Sequence, residues 1–450
     1  VVMRIDTLRA QNFRCFDEHE FQFDPYFNVL IGENGVGKSA LLKAVRIAVA
    51  SWFLGIRDRH AVGIRNDDVR MVGRAFDAGD FTFEEQWPVT VEACGTVSTD
   101  GTRQDESVLE WSRSLNGPNG KTTRKDAAPI RECAEAADRR VREGDNATLP
   151  VLAYYSTSRL CLEPRRTQRR KTTPDKKHLS RFVGYRDCID KRLDTKALEA
   201  WMKRQSLIAW EEGSSSTLYR LVRTAITQMV EGATDLRYSP QREEVVVVFK
   251  NNEVYPLDYL SDGQRTTLTL VGDLATRMAR LNPHLGESAL DETPGVVLID
   301  ELDLHLHPTW QRHIVQDLRR TFPRVQFITT THSPQIISEV EPSALMHLKR
   351  TPQGIQVHRS QQAYGLDSNW ILESLMDTPE RPPDAKAQIK RVENALHAGD
   401  LETARQQLEE LRDLLHGDDP DVVRLEASIM NLRSLADEAD PESRRTDGPY

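Results

Sequence analysis

At the start of the chain, Ile5, Leu8, Phe13, Phe16, Phe21 and Phe23 are interleaved with polar residues, the spacing of strands that bury one face. The run "FNVLIG" (27–32) follows as a short apolar strand that ends in glycine, and Ala40 to Leu54 reads as a helix. "PVTVEACGTV" (88–97) and "SVLEWS" (107–112) predict an antiparallel layer, followed by a polar loop from Leu115 to Asp126 and a further strand in "PVLAYYS" (150–156). Between Thr195 and Val230 the pattern turns helical, with a break at "EEGSSS" (211–216). Strands return in "EEVVVVFK" (243–250), "GVVLID" (295–300) and "VQFITTT" (325–331), with a helix from Trp310 to Arg320 between the last two. The final 84 residues, from Asp367, read as helical. This order predicts an α/β head with an antiparallel β subdomain, a helical insertion and a C-terminal helical region. The expected segments are 1–160, 161–242, 243–363 and 364–450.

Charge changes this picture more than composition does. The net charge is −9, yet the segment Asp367 to Tyr450 alone carries −10, with 20 acidic and 10 basic residues, so the remainder is close to neutral. An acidic total therefore does not exclude nucleic acid. The stretch 158–186 holds ten Lys or Arg against two acids and reads equally as a phosphate-tracking surface or as a solvated loop. The longest apolar stretch, Ala44 to Ile56, is interrupted by Arg46 and is too short to span a bilayer, and "VVMRIDTL" has no apolar signal region. No membrane association and a cytoplasmic location are the expectation. Cys15, Cys94, Cys133, Cys161 and Cys188 offer no CxxC pair, which points to free thiols.

The chemistry begins at Gly32 to Ser39, "GENGVGKS", which fits GxxxxGK[ST] between a strand and a helix. There backbone N–H groups of the glycine-rich loop wrap phosphates, Lys38 reaches the β and γ oxygens, and the Ser39 hydroxyl is a ligand for Mg²⁺. "VVLIDE" (296–301) reads as a buried strand ending in two acids, Asp300 to hold the metal and Glu301 to polarise the attacking water. His332, at the end of the next strand, is placed to contact the γ-phosphate. "LSDGQ" (260–264), ahead of a helix, reads either as an N-cap built from Ser261 or Asp262 or as a loop with a ligand of its own.

These pieces in this order resemble the ATP-binding-cassette class of AAA-type ATPases, in its soluble SMC/RecF-like branch. The resemblance makes Gly32–Ser39 the Walker A loop, Leu260–Gln264 the signature, Val296–Glu301 the Walker B strand, 304–307 the D-loop and His332 the switch residue. It implies ATP and Mg²⁺ as cofactors, with Asn34, Gly35, Gly37, Lys38, Ser39 and Ala40 at the nucleotide and Ser39 and Asp300 at the metal. It also implies a homodimer or higher even oligomer, in which Ser261, Gly263 and Gln264 of one subunit cover the ATP of the other. "LRAQNFRCF" (8–16) matches a stretch that precedes Walker A in that branch and brings an arginine, here Arg14, near the nucleotide. For the Q-loop glutamine, Gln86 and Gln104 are both open.

"QQAYGLDSNWILESLM" (361–376) and the helical tail narrow the resemblance to the ATPase subunit of antiphage systems of the Septu and retron type. Those subunits work with a separate nuclease of HNH type. A RecF-like DNA repair ATPase is the alternative. Downstream of His332 the one DxD is Asp419-Pro420-Asp421, in a turn, so no TOPRIM nuclease is expected within the chain. In the tail, Leu401, Ala404, Leu408, Leu411 and Leu415, capped by Asp400, and then Val422, Leu425, Ile429 and Leu432 predict a helical hairpin. Its apolar seam either packs within the chain or serves as a platform for a partner.

Overall fold

A computed structural model describes residues 3–75, 81–97, 107–160, 180–189, 193, 195–230, 232–352, 354–360 and 362–439. Gln104, Cys161 and most of the basic stretch lie outside them. The chain forms two compact units, Val1–Ile371 and Leu372–Tyr450.

The first unit is organised on a six-stranded sheet in the order Gly354–Arg359, Leu345–Thr351, Phe27–Ile31, Val325–Thr330, Gly295–Ile299, Val151–Tyr155. All neighbours but the first pair are parallel. Every residue of Phe27–Ile31, Gly295–Ile299, Val325–Thr330 and Val151–Tyr155 is buried. That is why these segments read as continuous apolar runs rather than alternating ones. Parallel pairing also brings the carboxyl ends of the strands to one edge, where ligands of α/β sheets bind. The pairs Ile299–Thr329, Ile299–Tyr155 and Thr329–Val29 set that edge in register.

The alternating N-terminal pattern forms strands Met3–Phe13 and Phe16–Gln22, in a four-stranded antiparallel sheet with Val89–Val97 and Ser107–Leu115. A two-stranded ribbon, Arg70–Ala75 with Phe81–Gln86, and a three-stranded sheet of Ala233–Ser239, Glu244–Phe249 and Val254–Pro256 complete the β structure.

Several boundaries differ from the expectation. The first helix is Lys38–Ala50, two residues earlier than read, and its continuation Ser51–Leu54 tightens to a 3-10 turn. The segment read as helix from Trp310 to Arg320 is two helices, Pro308–Gln311 and Ile314–Thr321. Helix Ala128–Arg142, strand Ala233–Ser239 and hairpin Leu345–Arg359 were not foreseen. The helical reading of Thr195–Val230 matches helices Thr195–Glu212 and Thr217–Met229, the second capped by Ser216.

The second unit corrects the expected hairpin to three helices, Pro383–His397, Leu401–Leu415 and Pro420–Ala439. Ile389, Val392 and Ala395 of the first join Ala404, Leu408, Leu411, Val422, Leu425 and Ile429 in one buried cluster. The apolar seam is thus mostly consumed inside the tail, while Leu432 is 40% exposed. Arg381 bridges Asp419 and Asp421 at 2.9 and 2.7 Å, so the DxD acids are occupied by an internal ion pair. Among the described residues no helix is long and apolar enough to cross a membrane.

Candidate functional site

The Walker A loop leaves the buried strand Phe27–Ile31 and turns into helix Lys38–Ala50. Gly37 caps that helix at φ 117°, and a Cβ there would lie 2.6 Å from Cys15 Sγ and 2.9 Å from Phe16 Cζ. Only glycine fits. The turn between the first two strands, "RCF", therefore backs the phosphate loop, which accounts for the position of that stretch ahead of it. Arg14 is otherwise engaged: its guanidinium pairs with Asp68 at 2.7 Å. Asn34, Gly35 and Ser39 are exposed, Ala40 is half-buried, and Lys38 is buried at 7% exposure. The Lys38 ammonium donates to the carbonyls of Gly32 at 2.7 Å and Glu33 at 2.9 Å. Burial pulls its pKa down, against the opposing pull of Asp300, Glu301 and Asp303.

Across the sheet edge, Ser39 Oγ donates to Asp300 Oδ1 at 3.2 Å, and Thr330 Oγ1 donates to the same oxygen at 2.7 Å. Thr330 Oγ1 in turn accepts the Glu301 N–H at 2.6 Å. Asp303 Oδ1 receives Thr331 Oγ1 at 2.6 Å and the His332 N–H at 3.2 Å. The His332 imidazole is half-buried, and its pKa is lowered first by burial and then by Lys38, against the opposing pull of Asp303, Glu301 and Asp300, which favours the neutral ring. Lys38, Ser39, Asp300, Glu301 and His332 are thus gathered at one edge. Thr330 and Asp303, which sequence reading passed over, orient the acids and the His332 backbone through hydrogen bonds. So does Arg159, the first arginine of the basic stretch, which is 3% exposed and donates to the carbonyls of Asp300 and Glu301. A mid-strand threonine and an arginine within a charge run carry no sequence signal for such roles.

In the structure the LSDGQ stretch takes the N-cap reading of its residues. Ser261 caps helix Asp262–Leu281, accepting the Gln264 N–H at 3.3 Å while Gln264 Oε1 accepts the Ser261 N–H at 2.9 Å, a capping box. Ser261 nevertheless remains exposed. Gly263 is buried against the D-loop, where a Cβ would meet the His305 carbonyl oxygen at 1.9 Å. Gly263 is therefore needed for close approach within its own chain. Of the Q-loop candidates, Gln86 lies on the two-stranded ribbon with its amide on the Glu84 carbonyl at 3.2 Å.

A hydroxyl and a carboxylate this close form a hard-oxygen donor set of the kind that takes Mg²⁺ with few protein ligands. Beside a buried lysine at a strand-loop-helix junction, they have the donor set and backbone setting that a nucleoside triphosphate site requires. The family described as "AAA domain" matches residues 7–213, and that described as "AAA domain, putative AbiEii toxin, Type IV TA system" matches residues 159–338. The chain carries AAA-type ATPase domains. The ATPase is 26% identical over 445 residues to the "Retron Ec83 probable ATPase" of Escherichia coli, covering 85% of this chain and 78% of that one. It is 41% identical over 340 residues to "Septu protein PtuA" of Bacillus mycoides (strain KBAB4), covering 73% of this chain and 38% of that one. The SMC head domain from Thermotoga maritima aligns with the ATPase at a TM-score of 0.41 and 14% identity, over 80% of this chain and 100% of the other.

Proposed function

We propose that the ATPase closes head-to-tail with a second copy around ATP, hydrolyses it, and thereby controls a separate HNH-type nuclease in cytoplasmic defence against phage. The observation that carries the enzymatic part is the convergence of Lys38, Ser39, Asp300 and Glu301 on one sheet edge, with the Ser39–Asp300 contact at 3.2 Å. Lys38 binds the β and γ oxygens, Glu301 polarises the attacking water, and neutral His332 donates to the γ-phosphate. Ser39 and Asp300 would hold Mg²⁺, which supplies charge neutralisation to the phosphates when bound. Exposed Ser261 at the positive end of a 20-residue helix is the group offered to a neighbouring nucleotide.

The defence assignment draws on the match to a retron ATPase over 78% of its length. A RecF-like repair role would rest on DNA binding by the basic stretch, most of which lies outside the described residues. Purifying the tagged ATPase from its native host tests the choice. Co-purification of a nuclease, together with loss of phage protection in Lys38→Ala, supports defence. Recovery of DNA without a nuclease overturns it.

A further inference from the structure

Glu301 has φ 52°, in the left-handed region that non-glycine residues rarely occupy. Such a backbone persists only where its surroundings fix it. Here both flanking peptide planes are held at both ends. In the plane before Glu301, the Asp300 carbonyl accepts from Arg159 Nη1 and the Glu301 N–H donates to Thr330 Oγ1 at 2.6 Å. In the plane after it, the Glu301 carbonyl accepts from Arg159 Nη2 at 2.7 Å and the Leu302 N–H donates to the Thr330 carbonyl at 2.8 Å. Thr330 takes the N–H side and Arg159 the carbonyl side. With both planes fixed, the direction of the Glu301 side chain from the backbone is fixed as well.

Arg159 itself is anchored. It sits in the turn Thr157–Leu160 directly after strand Val151–Tyr155, the neighbour of the Walker B strand, and its own carbonyl accepts the Leu193 N–H at 3.1 Å. Among the described residues no carboxylate pairs with its guanidinium: the two Nη atoms donate to backbone carbonyls, Nη1 also reaching the Ser156 carbonyl at 3.3 Å, and Nε is buried without a partner. Burial lowers its pKa while Asp300, Glu301 and Asp303 oppose that shift, so the cation stays charged beside the acids it positions. A planar fork with parallel donors spans two successive carbonyls; an ammonium does not.

We infer that Arg159 is a positioning residue for hydrolysis, aiming the Glu301 carboxylate by clamping the carbonyls on either side of it without touching the nucleotide. This rests on the reading of Glu301 as the residue that polarises water. The test measures steady-state ATP hydrolysis and equilibrium ATP binding for the full chain with Arg159→Met, Arg159→Lys, Glu301→Gln and both double variants. Misdirecting the carboxylate by a fraction of its length should lower kcat about 100-fold with KM and ATP affinity within about two-fold of the parent. Arg159→Lys, which keeps the buried charge, should share the loss, and it serves if Arg159→Met does not fold. In the Glu301→Gln background either substitution should cost nothing further, since nothing is left to aim. Equal fractional losses in both backgrounds, or a rise in KM with kcat unchanged, would overturn the inference. Parental turnover by Glu301→Gln alone is a different result: it overturns the reading of Glu301 and removes the object of the clamp.

Discussion

Ser39 Oγ lies 3.2 Å from Asp300 Oδ1, although 261 residues separate the two. One follows the strand Phe27–Ile31 and the other follows Gly295–Ile299, and these strands are not neighbours: Val325–Thr330 runs between them and contributes the Thr330 hydroxyl to the same carboxylate. The contact therefore reports the alignment of three strand ends. If the pair holds Mg²⁺, ATP affinity should depend on the metal, and Ser39→Ala should remove one ligand. Affinity in the presence of Mg²⁺ is expected to fall about 10- to 100-fold, while affinity in chelator should match the parent. Calorimetric titration in both conditions reads this out, and an undiminished response to Mg²⁺ would place the metal elsewhere.

Lys38 offers a second test through His332. Burial lowers the imidazole pKa below its ordinary 6.5, and Lys38 adds to the shift. Between the native value and 6.5 the unfolded chain binds more protons than the folded one, so stability rises with pH there. His332 thus leaves stability unchanged above about pH 6.5 and erodes it as pH falls through the native value. Removing the cation with Lys38→Ala should move the His332 midpoint upward in an NMR titration of the nucleotide-free protein. The same variant should lose about 100-fold or more in ATP affinity, having lost its charge-assisted bonds to phosphate. An unmoved midpoint would mean the two side chains do not sense each other.

Glu301→Gln removes a charge while keeping the shape and leaving Asp300 in place. Hydrolysis should slow about 100- to 10,000-fold, the usual worth of a positioned base, with ATP binding retained. Because ATP then persists, the closed dimer should accumulate and double the mass seen by light scattering. A monomer at saturating ATP would count against head-to-tail closure.

Much of this site was legible because its residue types are demanding. A strand ending in "GENGVGKS" or "DE" states its chemistry in consecutive residues, and the buried parallel strands announce themselves as unbroken apolar runs. Thr330, Asp303 and Arg159 were not legible, since their roles depend on hydrogen bonds between segments far apart in sequence. Arg159 stands at the head of a run of cations that reads as solvated, yet it is 3% exposed. The first tail helix was blurred for another reason: Ile389, Val392 and Ala395 are small or widely spaced among charges, and they become a core only with Ala404, Leu408, Leu411 and their neighbours on the other two helices.

Ser261 is exposed and caps its helix, so a test of its action on a second chain must preserve the cap. Ser261→Asp does so, because a carboxylate is as good an N-cap acceptor, and stability should stay within about 0.5 kcal/mol. The same charge would face the γ-phosphate held by the partner, so ATP should still bind each monomer while closure and turnover fail. Mixed with Lys38→Ala, one of two composite sites pairs an intact Walker A with an intact signature. Turnover should recover in the mixture to an appreciable fraction of the parent. No recovery, with both variants folded, would show that the loop acts within its own chain.

The tail is the place to look for the effector. It folds around its own cluster of nine buried residues, so the seam cannot also be the docking surface. What remains outside is Leu414 on the second helix and Val423, Met430, Leu432 and Leu435 on the third, between 40% and 61% exposed. Val423 and Met430 are two turns apart on one face. An acidic segment of net charge −10 steers toward a basic surface, and this apolar face would supply the short-range contact. The double substitution Val423→Asp and Met430→Asp should leave melting temperature and ATP hydrolysis as they are, because neither side chain belongs to the buried cluster. If the proposed nuclease docks there, the substitution should abolish its co-purification and phage protection together, as should ending the chain at Ile371. If the truncated protein cannot bind ATP, the tail serves the ATPase instead; if it keeps its partner, the nuclease docks on the head.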